Sequence, residues 1–244
     1  MSSAAQSPYQ AQPPEVTFEQ RLGEQLPAGL SLRDASGRRL TLGDYLGDQP
    51  LLLGMGYNEC PMLCGSQLQG MMQVVGATDL RPGKDFMLLF VSIDADEPQA
   101  VTQEAQADFR RAMKTDGAGV AFLTGSQPSV DTLAGKIGFG YEYVPGIDQY
   151  AHPAGWVVVT PDGTVSSYLL GVRYEPDELT AGVATAAEAE VGSEKPSLLL
   201  RCLRYNPLNG HYGTAVDLAL KAGALLTIVG IGTFTWRLER RRKR

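Results

Sequence analysis

The stretch from Gln49 to Gly65, QPLLLGMGYNECPMLCG, decides the fold class of this 244-residue chain. Its first half is a continuous apolar run, which is typical of a β-strand buried on both faces of a sheet. Cys60 and Cys64 follow directly, and they are two of only three cysteines in the chain. The pair is therefore predicted at the turn after the carboxyl end of a buried strand, where ligands and reactive groups gather in open α/β sheets.

Strand and helix patterns alternate along the rest of the body of the chain. An N-terminal hairpin is predicted over 30–47, around an Asp-Ala-Ser-Gly turn. Further strands are predicted at 85–94, at 119–125 and, as a pair about a Pro-Asp-Gly turn, over 155–171. Helices are predicted between and after them, over 65–78, 97–113, 129–139 and 175–192. This alternation predicts an α/β domain over residues 16–192, with a thioredoxin-like mixed sheet flanked by helices.

Charge is unevenly distributed along the chain. The last eight residues, RLERRRKR, carry six basic residues and one acid, which is +5, so the other 236 residues carry −11 and the net charge is −6. An acidic body argues against nucleic-acid binding, which requires a basic surface. Residues 1–15 are rich in Ser, Ala, Gln and Pro and are predicted to be a disordered leader.

The C-terminal part contains a candidate membrane anchor. Residues 193–217 are interpreted as a connecting segment, and 218–236 are apolar except for Lys221, which is enough for one transmembrane helix. Trp236 and the basic tail 237–244 follow, so the positive-inside rule places the tail in the cytoplasm and the body on the periplasmic or extracytoplasmic side. The competing interpretation is a helix packed on the body. The first 20 residues lack a signal-peptide pattern, which does not fit an exported protein.

The cysteine pair has three competing explanations: a disulfide, a metal site or core packing. At the start of a helix, the i, i+4 spacing puts both sulfurs on one face, and the helix N-terminus lowers the thiol pKa. Two thiolates side by side favour soft or borderline metals such as copper or zinc. The C-x₃-C spacing is wider than the usual C-x₂-C of oxidoreductases, which suits a metal at least as well as a catalytic disulfide.

A two-thiolate metal site needs a third ligand, and the chain has two histidines, His152 and His211. His152 stands just before the strand pair of 155–171. In a thioredoxin-like arrangement its loop faces the loop after the first buried strand, so Cys60, Cys64 and His152 are predicted as a Cys₂His site. The alternative is a surface or capping histidine.

Other residues near these motifs have plainer interpretations. Cys202 is interpreted as a buried free cysteine, and a second soft site with His211 is the weaker alternative. The methionines near the pair are interpreted as core filling rather than thioether ligands; they are Met55, Met62, Met71 and Met72. Asp94, at the end of the second buried strand, either tunes the pair electrostatically or, more commonly, caps the next helix.

Three of these stretches, taken in order, resemble a known family. YNECPMLCG (57–65), FVSIDADEP (90–98) and YAHPAGWVVVTPDG (150–163) resemble the Sco/SenC family of copper-binding thioredoxin-like proteins, over about residues 17–192. The tail, LLLRCLRYNPLNGHYG (198–213) before an apolar segment, resembles a bacterial branch that ends in a membrane anchor. The resemblance implies a copper ion held by Cys60, Cys64 and His152.

The same resemblance implies a partner. That partner is the copper-receiving subunit of cytochrome c oxidase. The resemblance implies that the protein delivers copper to this subunit or reduces the cysteines of its dinuclear copper centre. Two positions depart from the family pattern. Ala151 stands where an acidic residue is frequent, and Pro153 restricts His152 to extended backbone.

The interpretations left open differ in what the cysteines do. In a copper chaperone both are ligands. In a thiol-disulfide reductase Cys60 attacks a partner disulfide, Cys64 resolves it, and His152 is only an electrostatic neighbour. A peroxiredoxin-type peroxidase is disfavoured, because no Pro-x-x-x-Thr-x-x-Cys pattern precedes Cys60. An inert, core-filling pair is disfavoured by its place at a strand-to-helix turn beside Pro61.

Overall fold

The computed structural model describes residues 16–58, 64–113 and 119–194, together with 205–206, 211–212, 221 and 227. The chain divides into two compact units, and Pro14–Glu194 make up nearly all of the first. The domain boundaries drawn from the sequence stay predictions, as do the disordered leader and the basic tail, which lie outside the described residues.

The first unit is built on one seven-stranded mixed sheet. Its strands, in chain order, are β1 (Ser31–Asp34), β2 (Arg39–Thr41), β3 (Leu51–Gly56), β4 (Met87–Ser92), β5 (Val120–Gly125), β8 (Gly155–Val159) and β9 (Val165–Leu170). The spatial order is β2-β1-β5-β4-β3-β8-β9. β3, β4 and β5 pair in parallel, whereas β8 runs antiparallel to β3 and β1 antiparallel to β5. The predicted mixed α/β sheet is confirmed, and the predicted N-terminal hairpin forms one edge of it.

Helices cover both faces of this sheet. They are α1 (Cys64–Gly76), α2 (Gln99–Met113), α3 (Gln127–Ile137) and α4 (Pro176–Ala187). The apolar side chains of α1, α2 and α4 pack in one core cluster, and those of α3 pack in the other with the segment around Leu26 and Leu32. Each helix therefore buries one apolar stripe, as the 3.6-residue period of an amphipathic helix requires.

β3 shows why a continuous apolar run is needed at the centre of the sheet. All six of its residues are buried. Leu51 and Leu53 belong to one core cluster and Leu52 to the other, because successive side chains of a strand point to opposite faces. Gly54 lies opposite Trp156 of β8, and a β-carbon at Gly54 would come within 2.6 Å of the indole ring.

The structure contains one hairpin that was not predicted from the sequence. β6 (Glu142–Val144) pairs antiparallel with β7 (Gln149–Ala151), outside the central sheet. None of its six residues is buried, so the two strands show no buried face for a period-two pattern to reveal. Several helix ends also shift: α1 ends at Gly76 rather than 78, α2 begins at Gln99 rather than 97, α3 spans Gln127–Ile137 rather than 129–139, and α4 ends at Ala187 rather than 192. Beyond α4, Ala189 adopts a positive φ of 57°, and Gly192 donates to Ser166 O.

The second unit is described at few residues. β10 (Tyr205–Asn206) pairs antiparallel with β11 (His211–Tyr212). In the part of the chain that the structure describes, no helix has the length and apolar character to cross a bilayer. Apart from Lys221 and Thr227, the segment 218–236 lies outside that part, so its transmembrane helix stays a prediction.

Candidate metal centre

The segment 57–63, here called the cysteine loop, joins the interior strand β3 to helix α1. β3 ends at Gly56, Tyr57 and Asn58 follow it, and α1 begins at Cys64. Cys60 lies outside the described residues, and for Cys64 only the backbone is described. The predicted position of the pair, between a buried strand and its helix, is therefore correct for Cys64, while the relation of the two sulfur atoms stays a prediction.

His152 lies at the end of the sheet from which the cysteine loop emerges. Because β8 runs antiparallel to β3, residues that precede β8 lie beside residues that follow β3. The His152 ring contacts the ring of Tyr57, with 5.8 Å between centroids and an angle of 76°. Tyr57 stands three positions before Cys60 in the chain. The predicted proximity of the His152 loop to the start of the cysteine loop is thus correct.

The His152 ring is oriented by its surroundings. It packs between Tyr57 and Phe139, whose ring centroid is 5.7 Å away, and it is half-buried. Nδ1 lies 2.8 Å from the carbonyl oxygen of Pro153. A carbonyl only accepts, so Nδ1 carries the hydrogen and the lone pair of the neutral ring is on Nε2. Such a bond to the second ring nitrogen is what usually orients a metal-binding histidine.

Gln67 ties the start of α1 to both strands beneath the site. Its side chain is completely buried one helical turn after Cys64. Nε2 donates to Gly155 O at 2.8 Å and lies 3.5 Å from Met55 O. Gly155 is the first residue of β8, three positions after His152. This bond therefore holds the helix that begins at Cys64 against the strand that follows His152.

Glu97 holds the entrance of the cysteine loop. Its carboxylate is buried and accepts two hydrogen bonds from Asn58, from the backbone N–H at 2.8 Å and from the side-chain amide at 2.6 Å. The hydroxyls of Ser92 and Thr102 donate to the same carboxylate at 3.1 Å and 2.8 Å. The last described residue before the loop is thus bound to the turn that follows β4.

Asp94 does not cap a helix. Its Oδ1 accepts from Asp96 N at 3.0 Å, which closes a local turn that starts five residues before α2 begins. The preferred expectation for Asp94 was therefore wrong. The capping interpretation failed because Glu97 and Pro98 separate this turn from the helix. The buried carboxylate of the segment is Glu97, and Asp94 is only half-buried.

The β6–β7 hairpin adds tyrosines beside the site. Tyr150 of β7 contacts the rings of Tyr57 and Tyr143, with centroids 5.6 Å and 5.3 Å away. Burial, together with the carboxylates of Asp94 and Asp96, raises the pKa of the Tyr150 phenol. The phenol therefore stays neutral at physiological pH, and the aromatic wall of the site next to Tyr57 borders the carboxylates of Asp94 and Asp96.

The remaining candidates divide clearly. Met55 and Met71 are buried in the two core clusters and Met72 packs against one of them, which confirms the core-filling interpretation for these three. Met62 and Cys202 lie outside the described residues, and the His211 side chain is not described. Within the described residues, no three His, Cys, Asp or Glu side chains are grouped as metal ligands would be. Because Cys60 and the Cys64 side chain are outside that search, the Cys₂His site stays a prediction.

Comparison with known proteins assigns the family. The SCO1/SenC family profile matches residues 19–188, which is well over half of the chain. The chain belongs to the SCO1/SenC family. One relative is the human mitochondrial SCO1 homolog, 32% identical over 179 residues, which are 70% of this chain and 56% of the human protein. The match to this SCO1/SenC relative therefore spans little more than half of the relative's length.

Solved structures of other proteins share the fold. A protein from Aquifex aeolicus VF5 superposes with a TM-score of 0.61 at 23% identity, over 68% of this chain and 95% of that one. Copper-bound ScoI from Arabidopsis thaliana gives 0.54 at 20% identity, over 67% and 99%. BsSco, a Sco protein described with a disulfide switch, gives 0.52 at 19% identity, over 71% and 99%. The thioredoxin-like SCO1/SenC fold predicted from the sequence is confirmed.

The residues that brace this SCO1/SenC site were not predicted from the sequence. Gln67, Glu97 and Asn58 were not singled out, although Asn58 lies within the stretch 57–65, Glu97 within 90–98 and Gln67 within the helix predicted over 65–78. The sequence held one signal for Asn58 and Gln67: each is a polar side chain in an otherwise apolar or turn-forming stretch beside the cysteine pair. Their partners are 88 residues away for Gln67 and 39 away for Glu97, which no local pattern reveals.

Proposed function

We propose that this SCO1/SenC protein is a copper chaperone. It holds one copper ion through Cys60, Cys64 and His152 and passes it to the copper-receiving subunit of cytochrome c oxidase. One observation carries the proposal: the His152 ring contacts Tyr57, at the entrance of the cysteine loop, and its Nδ1 is held by the carbonyl oxygen of Pro153. Copper is here the cargo, and the protein supplies its ligands.

The donor set suits copper. Thiolates are soft ligands and imidazole is borderline, and this mixture favours copper over hard cations. That the family contains a ScoI from Arabidopsis thaliana solved with copper bound supports the same cargo. Release to a partner by exchange of one thiolate for another requires a partly exposed site, and His152 is half-buried rather than enclosed.

The proposal includes a place for the protein. The apolar segment 218–236 forms a single C-terminal anchor, the tail 237–244 lies in the cytoplasm, and the globular body lies on the periplasmic or extracytoplasmic side. The sequence pattern of Lys221, Trp236 and the basic run supports this arrangement.

Copper stoichiometry tests the chaperone proposal. The reduced full-length chain, purified in mild detergent without oxygen, is titrated with Cu(I) against a competing chelator and compared with His152→Ala and Cys60→Ser. We expect one tightly held copper in the unmodified chain and its loss in both variants. His211→Ala, which removes the other histidine, is the matched control and keeps the copper. Tight copper retained without His152 contradicts the three-ligand site.

A second candidate function is thiol-disulfide reduction, which the disulfide switch of BsSco favours. The Cys60 thiolate attacks a partner disulfide and forms a mixed disulfide. The Cys64 thiolate then displaces the partner's second sulfur, which leaves a Cys60–Cys64 disulfide and a reduced partner pair. Two electrons pass to the partner, whose sulfurs leave as thiolates and take their protons from solvent.

The two functions exclude each other at any one moment, because sulfurs joined in a disulfide are not available as thiolate ligands. Mild oxidation is therefore expected to abolish copper uptake, and a reductant to restore it. In a reductase His152→Ala keeps the reduction of a model disulfide at the unmodified rate, while Cys60→Ser loses it. Unchanged copper uptake by the oxidised protein argues against any redox control of loading.

A further inference from the structure

Glu97 is a buried carboxylate whose only described partners are uncharged hydrogen-bond donors. It is 7% exposed, and none of the ion pairs formed by the described residues involves it. A buried charge without a cation is costly unless several hydrogen bonds compensate it. Glu97 accepts four, two on each oxygen: Asn58 N and Ser92 Oγ on Oε2, and Asn58 Nδ2 and Thr102 Oγ1 on Oε1.

The pattern of donors requires a hydrogen-bonding side chain at this position. The two hydroxyl groups can rotate, and each can donate or accept. The backbone N–H of Asn58 is a fixed donor to one oxygen of Glu97, and the Asn58 side-chain amide donates to the other. A glutamine at 97 would keep both bonds, because the Asn58 amide can turn over and present its oxygen to the new N–H. A side chain without polar atoms would leave both groups of Asn58 without a partner at this position.

The pair is placed where it controls the cysteine loop. Asn58 is two positions before Cys60, and Glu97 belongs to the segment between β4 and α2. At the other end of the loop, Gln67 fixes the first turn of α1 to Gly155 O. Both ends of the chain segment that contains Cys60 and Cys64 are thus held by buried hydrogen bonds to separate elements of the sheet.

We propose that Glu97 is a positioning residue for the cysteine pair. By binding both N–H groups of Asn58 it fixes the direction in which the chain enters the loop, and so keeps Cys60 within reach of Cys64 and His152. The role does not require Glu97 to touch a ligand. It rests on the proposed use of Cys60 and Cys64 as a ligand or redox pair.

Two variants at position 97 test this role. Glu97→Leu, which is similar in size but has no acceptor, breaks both bonds to Asn58. Glu97→Gln is the matched control, because its oxygen accepts from the backbone N–H of Asn58 and its amide pairs with the turned Asn58 side chain. For Glu97→Leu we expect the Cu(I) association constant to fall about 10- to 100-fold, the range found for residues that orient metal ligands. Glu97→Gln is expected within about 3-fold of the unmodified chain, because it keeps the hydrogen bonds.

A second measurement needs no copper. The Cys60–Cys64 disulfide of each full-length variant is equilibrated with dithiothreitol, and the fraction reduced is measured by alkylation of the free thiols. A loop that is free at its entrance brings its two sulfurs together less often, since preorganisation is lost. Glu97→Leu is therefore expected to shift this equilibrium about 3- to 10-fold toward the dithiol, and Glu97→Gln to leave it unchanged.

Ser166→Ala separates positioning from general stability. Ser166 is buried and donates to Glu190 O at 2.7 Å, on the far strand β9, so its loss weakens the fold without touching the loop. It should lower the melting temperature but leave both constants unchanged.

The outcomes bear on the two proposals separately. If the unmodified chain binds no copper, the chaperone function fails, and the disulfide equilibrium still decides the role of Glu97. If Glu97→Leu leaves both constants unchanged, the positioning role is overturned. The same holds if Glu97→Gln loses as much as Glu97→Leu does.

Discussion

Helix α1, which begins at Cys64, approaches the chain closely at Gly70. A β-carbon built on Gly70 would lie 2.1 Å from the carbonyl oxygen of Val172 and 3.2 Å from the ring of Tyr174. The obstacle is backbone, so it cannot rotate away as a flexible side chain would. We therefore predict that Gly70→Ala forces the helix and the 171–174 segment apart by about 1 Å, the distance needed to restore an ordinary contact.

The expected magnitude combines two opposite effects. Inserting a methyl group into a packed interface usually costs about 1–3 kcal/mol. Alanine within a helix gains up to about 1 kcal/mol over glycine. The net loss in the free energy of unfolding should therefore be about 1–2 kcal/mol, which for a domain of this size lowers the melting temperature by roughly 2–8 °C.

The same helix supplies the control. At Gly76, its last residue, a β-carbon would meet no atom within 4 Å and the backbone has no positive φ, so Gly76→Ala should be neutral or stabilising by up to about 1 kcal/mol. Thermal unfolding of the two variants is followed by circular dichroism, and Cu(I) affinity is measured on each. Because Gly70 lies one turn beyond Gln67, its variant should also bind copper more weakly. If Gly70→Ala melts at or above the temperature of Gly76→Ala, the close approach of α1 to Val172 is wrong.

Three further predictions concern other parts of the chain. Tyr168→Phe should lower the free energy of unfolding by about 1–3 kcal/mol in urea titrations, because its buried hydroxyl accepts from Arg21 N and donates to Ile137 O, both at 2.9 Å; an unchanged midpoint contradicts this bridge. Burial raises the pKa of Tyr168 from 10.0 to about 12, so the folded state holds this proton more tightly than the unfolded state. The stability that follows is complete below pH 10 and is lost as pH rises through 12, which phenolate absorbance and unfolding at pH 9 to 12 will test; phenolate formation by every tyrosine near pH 10 with the fold intact refutes it. Finally, the full chain should sediment with membranes and resist carbonate extraction, whereas a chain ending at Gly213 should be released; an equal distribution of the two argues against the anchor in 218–236.

Much of the fold was predictable because its signals are local. The run Leu51–Leu53 is apolar at every position, and this marks a strand covered on both faces wherever it lies in the chain. The Pro161-Asp162-Gly163 turn between β8 and β9 is likewise written in adjacent residues, and its donors and acceptors are close in sequence. By contrast, β6 and β7 have no buried face, so the hairpin beside the site left no comparable signal.

The site was predictable to the same extent as its elements. That a histidine before β8 meets the loop after β3 follows from the strand order of the fold, and the Tyr57–His152 contact agrees with it. The sequence did not show which carboxylate, that of Asp94 or that of Glu97, is buried beside the loop. Both carboxylates stand in the same turn, and only the packing of Asn58, Ser92 and Thr102 around one of them decides which is buried.

The sequence by itself determined the alternation of strands and helices, the mixed sheet, and the position of the cysteine pair after a buried strand. These properties follow from periodicity and turn residues, which act over a few neighbouring positions. Only the tertiary structure decided which side chains brace the loop, which are Glu97 at its entrance and Gln67 at its exit. It also decided the orientation of the His152 ring, which packs between Tyr57 and Phe139 with Nδ1 at the Pro153 carbonyl. A buried polar group is stable only where its partners meet it, and those partners come from strands and helices that folding alone brings together.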